Sequence, residues 1–139
     1  MEKDSQRKYI DVPIRVRYAD TDRMGIVYYG TYPIYFEIAR SEYLRHLGFT
    51  YRELEERGYY LVVTELIINY LSSATYDDLL IVRTSVSELK SRSLKFEYII
   101  TKDGKDIVRG YTRHVCVDTK RKPVSFPSEF LEILKDATA

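Results

Sequence analysis

The 139-residue sequence contains few of the residues that disulfide-stabilised, metal-binding and membrane proteins need. Its single cysteine, Cys116, rules out an internal disulfide and leaves no ligand spacing typical of a zinc site. No apolar stretch approaches the length of a transmembrane helix, and the charged residues 1–8 lack the apolar core of a signal peptide. We therefore expect a cytoplasmic protein that has no metal site and does not insert into a membrane.

The sequence also has no excess of charge of one sign and contains little histidine. The 22 basic and 21 acidic side chains leave a net charge of +1, so no overall field favours nucleic acid as a partner. Only two histidines are present, and no G-x-S-x-G motif accompanies them. Nucleic-acid binding and a serine-hydrolase triad are therefore not expected.

Tyrosine, in contrast, is abundant. The chain has fourteen Tyr and no Trp, in a composition that is 45% apolar and too short for two ordinary cores. A tyrosine side chain has an apolar body and a polar tip, which suits surfaces that are only partly dry. We therefore expect one globular domain with many tyrosines at subunit interfaces or in a partly wet cleft.

The apolar pattern predicts one α+β domain over residues 9–139, preceded by a disordered tail at residues 1–8. From Thr31, a candidate N-cap, apolar residues recur at helical spacing as far as Gly48. The first half of this helix is apolar around most of its circumference, which predicts burial. A shorter helix with capping-box spacing follows Thr50. Apolar runs predict five strands, at residues 12–18, 61–71, 79–89, 94–100 and 107–118.

The most informative stretch, residues 18–30, joins the first predicted strand to the long helix and reads Tyr-Ala-Asp-Thr-Asp-Arg-Met-Gly-Ile-Val-Tyr-Tyr-Gly. Asp20 and Asp22 stand two apart in it. The N-terminus of a helix presents N–H groups without acceptors and partial positive charge, which suit an oxyanion. A carboxylate beside such a site can act as base or nucleophile on a bound carbonyl. The alternative from spacing alone is that both Asp residues only shape the loop through Asx-turns.

This stretch, together with Phe-Glu-x-Ala-Arg at residues 36–40, resembles the signature of the 4-hydroxybenzoyl-CoA thioesterase family. Within that family it is most similar to the acyl-CoA thioesterases associated with the Tol–Pal envelope system. The resemblance runs from about Val12 to Pro127 and includes Val-Cys-Val-Asp at residues 115–118. It implies acyl-CoA thioesterase activity and a hotdog fold, in which a five-stranded antiparallel sheet wraps one long central helix. It also implies dimers that pair into tetramers.

The resemblance assigns roles to three residues of the motif. Asp22 falls on the catalytic carboxylate, and the N–H of Tyr29, next to Gly30, falls on the oxyanion donor. The Tol–Pal branch usually has His where this chain has Tyr29, whereas the hydroxybenzoyl enzyme has Tyr, and a backbone donor survives that change. Asp22 would either activate water or attack the thioester to form a mixed anhydride. Neither route needs a cofactor.

Glu37 competes with Asp22, because another clade of hotdog thioesterases places its acid on the central helix. However, six to seven residues of helix correspond to roughly 10 Å, which is far from a carbonyl held at the N-terminus. We therefore favour the structural alternative, an i,i+3 ion pair between Glu37 and Arg40.

His114, Cys116 and Asp118 alternate along one predicted strand and would share a face. Side chains two apart on a strand are roughly 6.5–7 Å apart, beyond the reach of a catalytic Cys–His hydrogen bond. We expect structural roles for them. The second histidine, His46, suits the C-terminal end of the long helix because it complements the helix dipole.

The nucleotide end of CoA carries phosphates that need cationic partners. Arg92 and Ser93, between the third and fourth predicted strands, offer a guanidinium fork and a hydroxyl, and in the family this turn resembles the nucleotide-binding edge. Residues 120–122 form a second basic cluster, for which a solvated loop is an equally good interpretation.

The main alternative is a non-catalytic module on the same fold that binds acyl-CoA or a protein partner, since a fold does not fix a function. The presence of Asp22 in an intact motif favours the enzyme. A hotdog hydratase would need a His–acid pair, and His46 and His114 lie outside the motif. One curved sheet over one helix leaves apolar surface exposed, so we also expect a homo-oligomer, either a dimer or a tetramer.

Overall fold

The computed structural model describes residues 7–138, which form an antiparallel five-stranded sheet and three α-helices. The strands follow the order β1-β3-β4-β5-β2 across the sheet, so β1 and β2 are its edges. The elements are β1 Tyr9–Arg15, α1 Tyr32–Leu47, α2 Tyr51–Glu56, β2 Tyr60–Tyr70, β3 Leu79–Leu89, β4 Ser93–Lys102, β5 Lys105–Val117 and α3 Ser128–Thr138. The expected α+β architecture, with five strands and one long helix, is confirmed.

The predicted tail falls mainly on residues 1–6, which lie outside the described residues. The Lys8 N–H donates to the carbonyl of Ala137 at 2.8 Å and so joins the start of the described chain to α3. None of the helices within residues 7–138 is long and apolar enough to cross a membrane.

The first strand begins and ends three residues earlier than the sequence predicts. Its pairing with β3 starts at Tyr9, opposite Ser85, and ends at Arg15, opposite Leu79. The chain then leaves the sheet, and residues 18–20 form a 3₁₀ turn. The apolar alternation extends beyond Arg15 because Val16 is buried although it lies outside the strand.

Thr31 directly precedes α1, as predicted for its N-cap, but its side chain does not cap the helix. Thr31 has helical backbone angles (φ −81°, ψ −27°) and no capping side-chain hydrogen bond, because a 3₁₀ turn at residues 29–31 leads directly into α1. The residue with extended backbone that precedes this helical segment is Tyr28. The predicted cap of α2 is confirmed, since Thr50 Oγ1 accepts the N–H of Glu53 at 3.2 Å.

The core lies between α1 and the sheet. The ring of Phe36 stacks on that of Tyr98 in β4, with centroids 4.0 Å apart and planes 3° from parallel. Gly110 in β5 permits this approach, because a Cβ there would lie 2.3 Å from the carbonyl oxygen of Ile67 and 3.0 Å from the Phe36 ring. The residues of α1 that are buried are Tyr32, Tyr35, Phe36, Ala39, Tyr43 and Leu44.

One flank of α1 and most of β2 stay uncovered in the single chain. The burial predicted around most of the helix circumference is therefore found only in part, since Ile34 and Ile38 are 48% and 39% exposed. Strand β2 is an edge strand that exposes apolar side chains from both faces. The exposed apolar residues of β2 are Tyr60, Val62, Val63, Leu66, Ile67 and Tyr70.

Candidate active site

Residues 20–28 fold into a small hairpin between β1 and α1. Thr21 and Val27 form an antiparallel bridge, and within it the N–H of Asp22 donates to the carbonyl of Ile26 at 2.9 Å. The turn closes through a 3.0 Å bond from the N–H of Gly25 to the carbonyl of Asp22. Asp22 therefore lies one residue inside the bridge, in a backbone fixed on both sides.

The hairpin packs against the connection between β2 and β3. Ile26 forms a bridge with Thr75, and the N–H of Val27 donates to the carbonyl of Ala74 at 2.8 Å. These contacts place the motif at the end of the sheet where β2 ends and β3 begins.

Asp20 anchors the base of the hairpin and is only 3% exposed. Its carboxylate accepts hydrogen bonds from the Arg17 N–H at 3.0 Å, the Arg17 guanidinium at 2.9 Å and the Tyr35 hydroxyl at 2.8 Å. Burial alone would raise the pKa of Asp20, but the bonds from Arg17 and Tyr35 outweigh it and hold the pKa below its usual value. The alternative that Asp20 forms an Asx-turn is therefore not met, because its carboxylate partners are an arginine before it and a tyrosine of α1.

The carbonyl of Asp20 joins the two sides of the site. It accepts the Tyr28 N–H at 2.9 Å and the Thr31 hydroxyl at 3.3 Å. Asp20 thus also fixes the backbone at the start of the helical segment.

Asp22 does form the Asx-turn that the sequence allowed. Its Oδ1 accepts the N–H of Met24 at 2.8 Å, whereas its Oδ2 has no hydrogen bond within residues 7–138. The side chain is partly exposed. One carboxylate oxygen is thus fixed by the loop, and the other remains available to a ligand or to water.

Tyr29 and Gly30 supply the first N–H groups of the helical segment. Neither donates to an acceptor in the part of the chain that the structure describes. The carbonyl of Tyr28 accepts the Thr31 N–H at 2.8 Å, and the carbonyl of Tyr29 accepts the Tyr70 hydroxyl at 3.0 Å. In a trans peptide the N–H points opposite to the carbonyl, so both free N–H groups point away from these bonds.

The surface around these N–H groups is aromatic. The rings of Tyr28 and Tyr29 lie 4.6 Å apart, and the side chains are 46% and 65% exposed. The Tyr28 ring covers Gly30, where a Cβ would lie 2.6 Å from ring atom Cε2. Glycine therefore lets this ring lie directly against the backbone that carries the candidate oxyanion donor.

The ion pair expected between Glu37 and Arg40 is not formed in the described chain, so that prediction is wrong. Glu37 is exposed, whereas the Arg40 guanidinium is largely buried near the hydroxyls of Tyr98 and Tyr51. The arginine points into the core, while the glutamate one turn earlier remains at the surface.

The structural interpretation of His114 and Cys116 is confirmed. Both are buried; burial, together with the nearby Arg40, lowers the pKa of His114 to about 3, and burial raises the pKa of Cys116 to about 11. His114 Nε2 hydrogen-bonds to Thr112 Oγ1 at 2.8 Å. Asp118 lies just beyond β5, where it accepts the N–H groups of residues 120 and 122. No cluster of three or more metal-ligating His, Cys, Asp or Glu side chains occurs within residues 7–138.

Arg92 and Ser93 lie at the other end of the sheet from Asp22. The hairpin packs beside the start of β3, whereas Arg92 follows the end of that 11-residue strand. At about 3.3 Å per residue, the two ends are roughly 30 Å apart. The structure therefore does not bring Arg92 and Asp22 of one chain together. The basic loop at residues 120–122 lies at the Arg92 end, since the Phe126 N–H donates to the Ser91 carbonyl.

Sequence reasoning missed three residues of the site: Arg17, Tyr35 and Tyr70. The first two hold a buried carboxylate, and nothing in their spacing from Asp20 distinguishes them. Pro33 removes one local donor of the Tyr29 carbonyl, but the Tyr32 N–H of the 3₁₀ turn is another, so the sequence holds no specific signal for Tyr70.

Comparison with known proteins gives a consistent picture. A model of the thioesterase-like superfamily matches residues 16–134. The acyl-CoA thioesterase YbgC of Haemophilus influenzae is 44% identical over 119 residues, which cover 84% of this chain and 88% of the relative.

Solved structures agree with the sequence comparison. The DHNA-CoA thioesterase of Staphylococcus aureus superimposes with a TM-score of 0.89 at 32% identity, covering 91% of this chain and 89% of that one. A 4-hydroxybenzoyl-CoA thioesterase structure superimposes with a TM-score of 0.81 over 91% of this chain and 98% of that one, and at 21% identity it supports the fold alone. The family resemblance and the hotdog fold expected from the sequence are confirmed.

Proposed function

Because this chain belongs to the thioesterase-like superfamily, we propose that it hydrolyses acyl-CoA thioesters to a free acid and CoA, with Asp22 as the catalytic carboxylate. The observation that carries this proposal is the arrangement at the start of the helical segment. A carboxylate with one unbonded oxygen stands on a fixed hairpin, and two N–H groups without acceptors follow the end of that hairpin.

The two N–H groups are the proposed oxyanion site. The thioester carbonyl oxygen would accept hydrogen bonds from Tyr29 and Gly30, and the positive end of the α1 dipole lies behind them. Donors fixed in advance stabilise the negative charge that develops on this oxygen in the transition state more than they stabilise the neutral carbonyl.

Asp22 supplies the other half of the chemistry. With Oδ1 fixed by Met24, Oδ2 can take a proton from water as the water oxygen bonds to the acyl carbon. Alternatively, Oδ2 attacks the acyl carbon, and water then hydrolyses the anhydride. In both routes the carbon–sulfur bond breaks and the CoA sulfur leaves as a thiolate that is later protonated. Neither route requires a cofactor.

We further propose that the chain works as a homo-oligomer paired through β2. The unpaired N–H and carbonyl groups of this edge strand and its exposed apolar side chains make it a template for a second strand. Antiparallel pairing of β2 with its counterpart would bring the Arg92–Ser93 turn of a second copy to the Asp22 end of the first. A CoA thioester bound at Asp22 of one copy could then place its nucleotide at the Arg92–Ser93 turn of the second copy. The corresponding turn of the first copy lies roughly 30 Å from its Asp22. Pairing of dimers into a tetramer is the further expectation.

A cytoplasmic location is part of this proposal. Cys116 is a free, buried thiol, which is compatible with a reducing compartment, and CoA thioesters are metabolites of the cell interior.

A hydrolysis screen tests the function. Short, long, branched and aromatic acyl-CoAs are incubated with the purified protein, and release of the CoA thiol is followed. Turnover of at least one acyl class supports the enzyme. Binding without turnover across the panel would instead favour the non-catalytic acyl-CoA module, and neither binding nor turnover would favour a module for another partner.

A further inference from the structure

Tyr70, the last residue of β2, contacts the backbone of the candidate oxyanion site. Its hydroxyl donates to the carbonyl of Tyr29 at 3.0 Å across 41 residues of sequence. The Tyr70 ring also packs edge-on against Tyr32, with centroids 5.8 Å apart. An edge strand of the sheet is thus joined directly to the first residue of the helical segment.

The Tyr29 carbonyl has two different donors. Pro33 has no N–H, so the α-helical bond from residue 33 to this carbonyl is absent, and the 3₁₀ turn at residues 29–31 instead directs the Tyr32 N–H to it. The Tyr70 hydroxyl is the second donor and the one that comes from outside the helical segment. Burial and the neighbouring Tyr29 raise the pKa of Tyr70 above its usual value, so the hydroxyl keeps its proton at neutral pH.

The bond also fixes the direction of an N–H group. The Tyr29 carbonyl and the Gly30 N–H belong to one planar trans peptide and point in opposite directions. Resting on the function proposed above, we propose that Tyr70 is a positioning residue, which orients the Gly30 N–H toward the thioester oxygen by holding the other end of the same peptide. Tyr70 acts through the Tyr29–Gly30 peptide and does not itself contact the reacting atoms.

The Tyr70→Phe substitution tests this role because it removes the hydroxyl and keeps the ring. Removal of a direct oxyanion donor costs about 100- to 1000-fold in kcat, and loss of the bond that only orients a donor should cost less. We expect kcat to fall about 10-fold for the acyl-CoA that the wild type hydrolyses fastest. KM should stay within twofold, because the N–H acts in the transition state and CoA contacts are unchanged.

Tyr76→Phe is the matched control. Tyr76 lies in the connection that follows β2, is 57% exposed, and packs against Tyr18 at 5.7 Å, but its hydroxyl has no hydrogen bond in the described chain. Its kcat should equal that of the wild type. The urea unfolding midpoints of all three proteins should coincide, since the hydroxyl that is removed lies on a half-exposed side chain.

Three results would overturn the proposal: a Tyr70→Phe kcat within twofold of wild type, an equal loss in Tyr76→Phe, or a loss expressed in KM alone. Asp22→Asn is measured in the same assay to separate this inference from the proposed function. If Asp22→Asn is inactive and Tyr70→Phe is fully active, only the proposed role of Tyr70 is refuted. If Asp22→Asn is fully active, the proposed catalytic site is refuted, and the proposed role of Tyr70 is refuted with it.

Discussion

The hydroxyl of Tyr35 donates a 2.8 Å hydrogen bond to Oδ2 of Asp20, which ties the first buried turn of α1 to the base of the hairpin at residues 20–28. Asp20 is two residues before Asp22, and its carbonyl also holds Tyr28 and Thr31. One buried carboxyl residue therefore sets the spacing between the two halves of the site.

Tyr35→Phe should destabilise the protein by about 1.5–3 kcal/mol, because it removes a buried hydrogen bond to a charged acceptor. Tyr43→Phe is the control on the same helix, since the Tyr43 hydroxyl donates to a neutral acceptor, the carbonyl of Lys8, at 3.0 Å. That loss should be smaller, about 0.5–1.5 kcal/mol. Urea unfolding measures both. Equal losses would mean that the charge on Asp20 adds nothing to its bond with Tyr35.

Asp20 should also contribute to acid unfolding. Its folded-state pKa lies below the unfolded value of about 3.9, so folding favours the charged form. The resulting stability is fully present above the unfolded pKa and is lost as the pH falls through the lower folded pKa. Asp20→Asn should therefore be less stable than wild type at pH 7, and the difference should narrow below about pH 4. Urea unfolding midpoints of both proteins are measured from about pH 2.5 to about pH 7, a range that spans the titration of carboxyl groups. A pH-independent difference would contradict the assignment.

A charge on the β2 edge should disrupt assembly. Leu66→Lys places an ammonium on an exposed apolar position of this edge strand, where pairing with a second copy would bury it. We expect light scattering to report a dimer or tetramer for wild type and a smaller species with reduced turnover for this variant. Tyr9→Lys, on the opposite edge strand β1, should keep the wild-type mass. A wild type that is a fully active monomer would refute pairing through β2.

Arg92→Ala should weaken recognition of the nucleotide. We expect KM for acyl-CoA to rise about 3- to 10-fold, because one exposed, charge-assisted contact is lost, and added salt should reduce the effect. A pantetheine thioester without the nucleotide should show no difference between the variant and wild type. Arg121→Ala, in the neighbouring basic loop, is the matched control and should leave both KM values unchanged. An effect of Arg121→Ala alone would move the nucleotide site to residues 120–122.

Much of the fold follows from local signals in the sequence. The apolar period of 3.6 in α1, the alternation in β4 and the Asp-Gly turn at residues 103–104 each depend on neighbours within a few positions. The motif likewise placed Asp22 and Tyr29 at the entrance to α1. In contrast, the bonds from Tyr35 to Asp20 and from Tyr70 to Tyr29 span 15 and 41 residues. Such contacts depend on how elements pack, and a single sequence has no local pattern that predicts them.

The Arg40 side chain illustrates the same limit. Helical spacing predicts that it meets Glu37 on the surface, but the tertiary fold offers it Tyr98 and Tyr51 beneath the helix. The separation of Arg92 from Asp22 was equally hidden, because it depends on the packing of the hairpin at residues 20–28 beside the start of β3, whereas Arg92 follows the end of that strand.

The identity of the catalytic carboxylate is the central claim, and the kcat of Asp22→Asn tests it most directly. The amide preserves the shape of the side chain but is neither a base nor a nucleophile, so turnover of the best acyl-CoA should fall on the order of 100-fold or more. Glu37→Gln, which neutralises the exposed acid of α1, should retain wild-type kcat. Wild-type kcat in Asp22→Asn, or an inactive Glu37→Gln beside it, would contradict the account and move the site onto the helix.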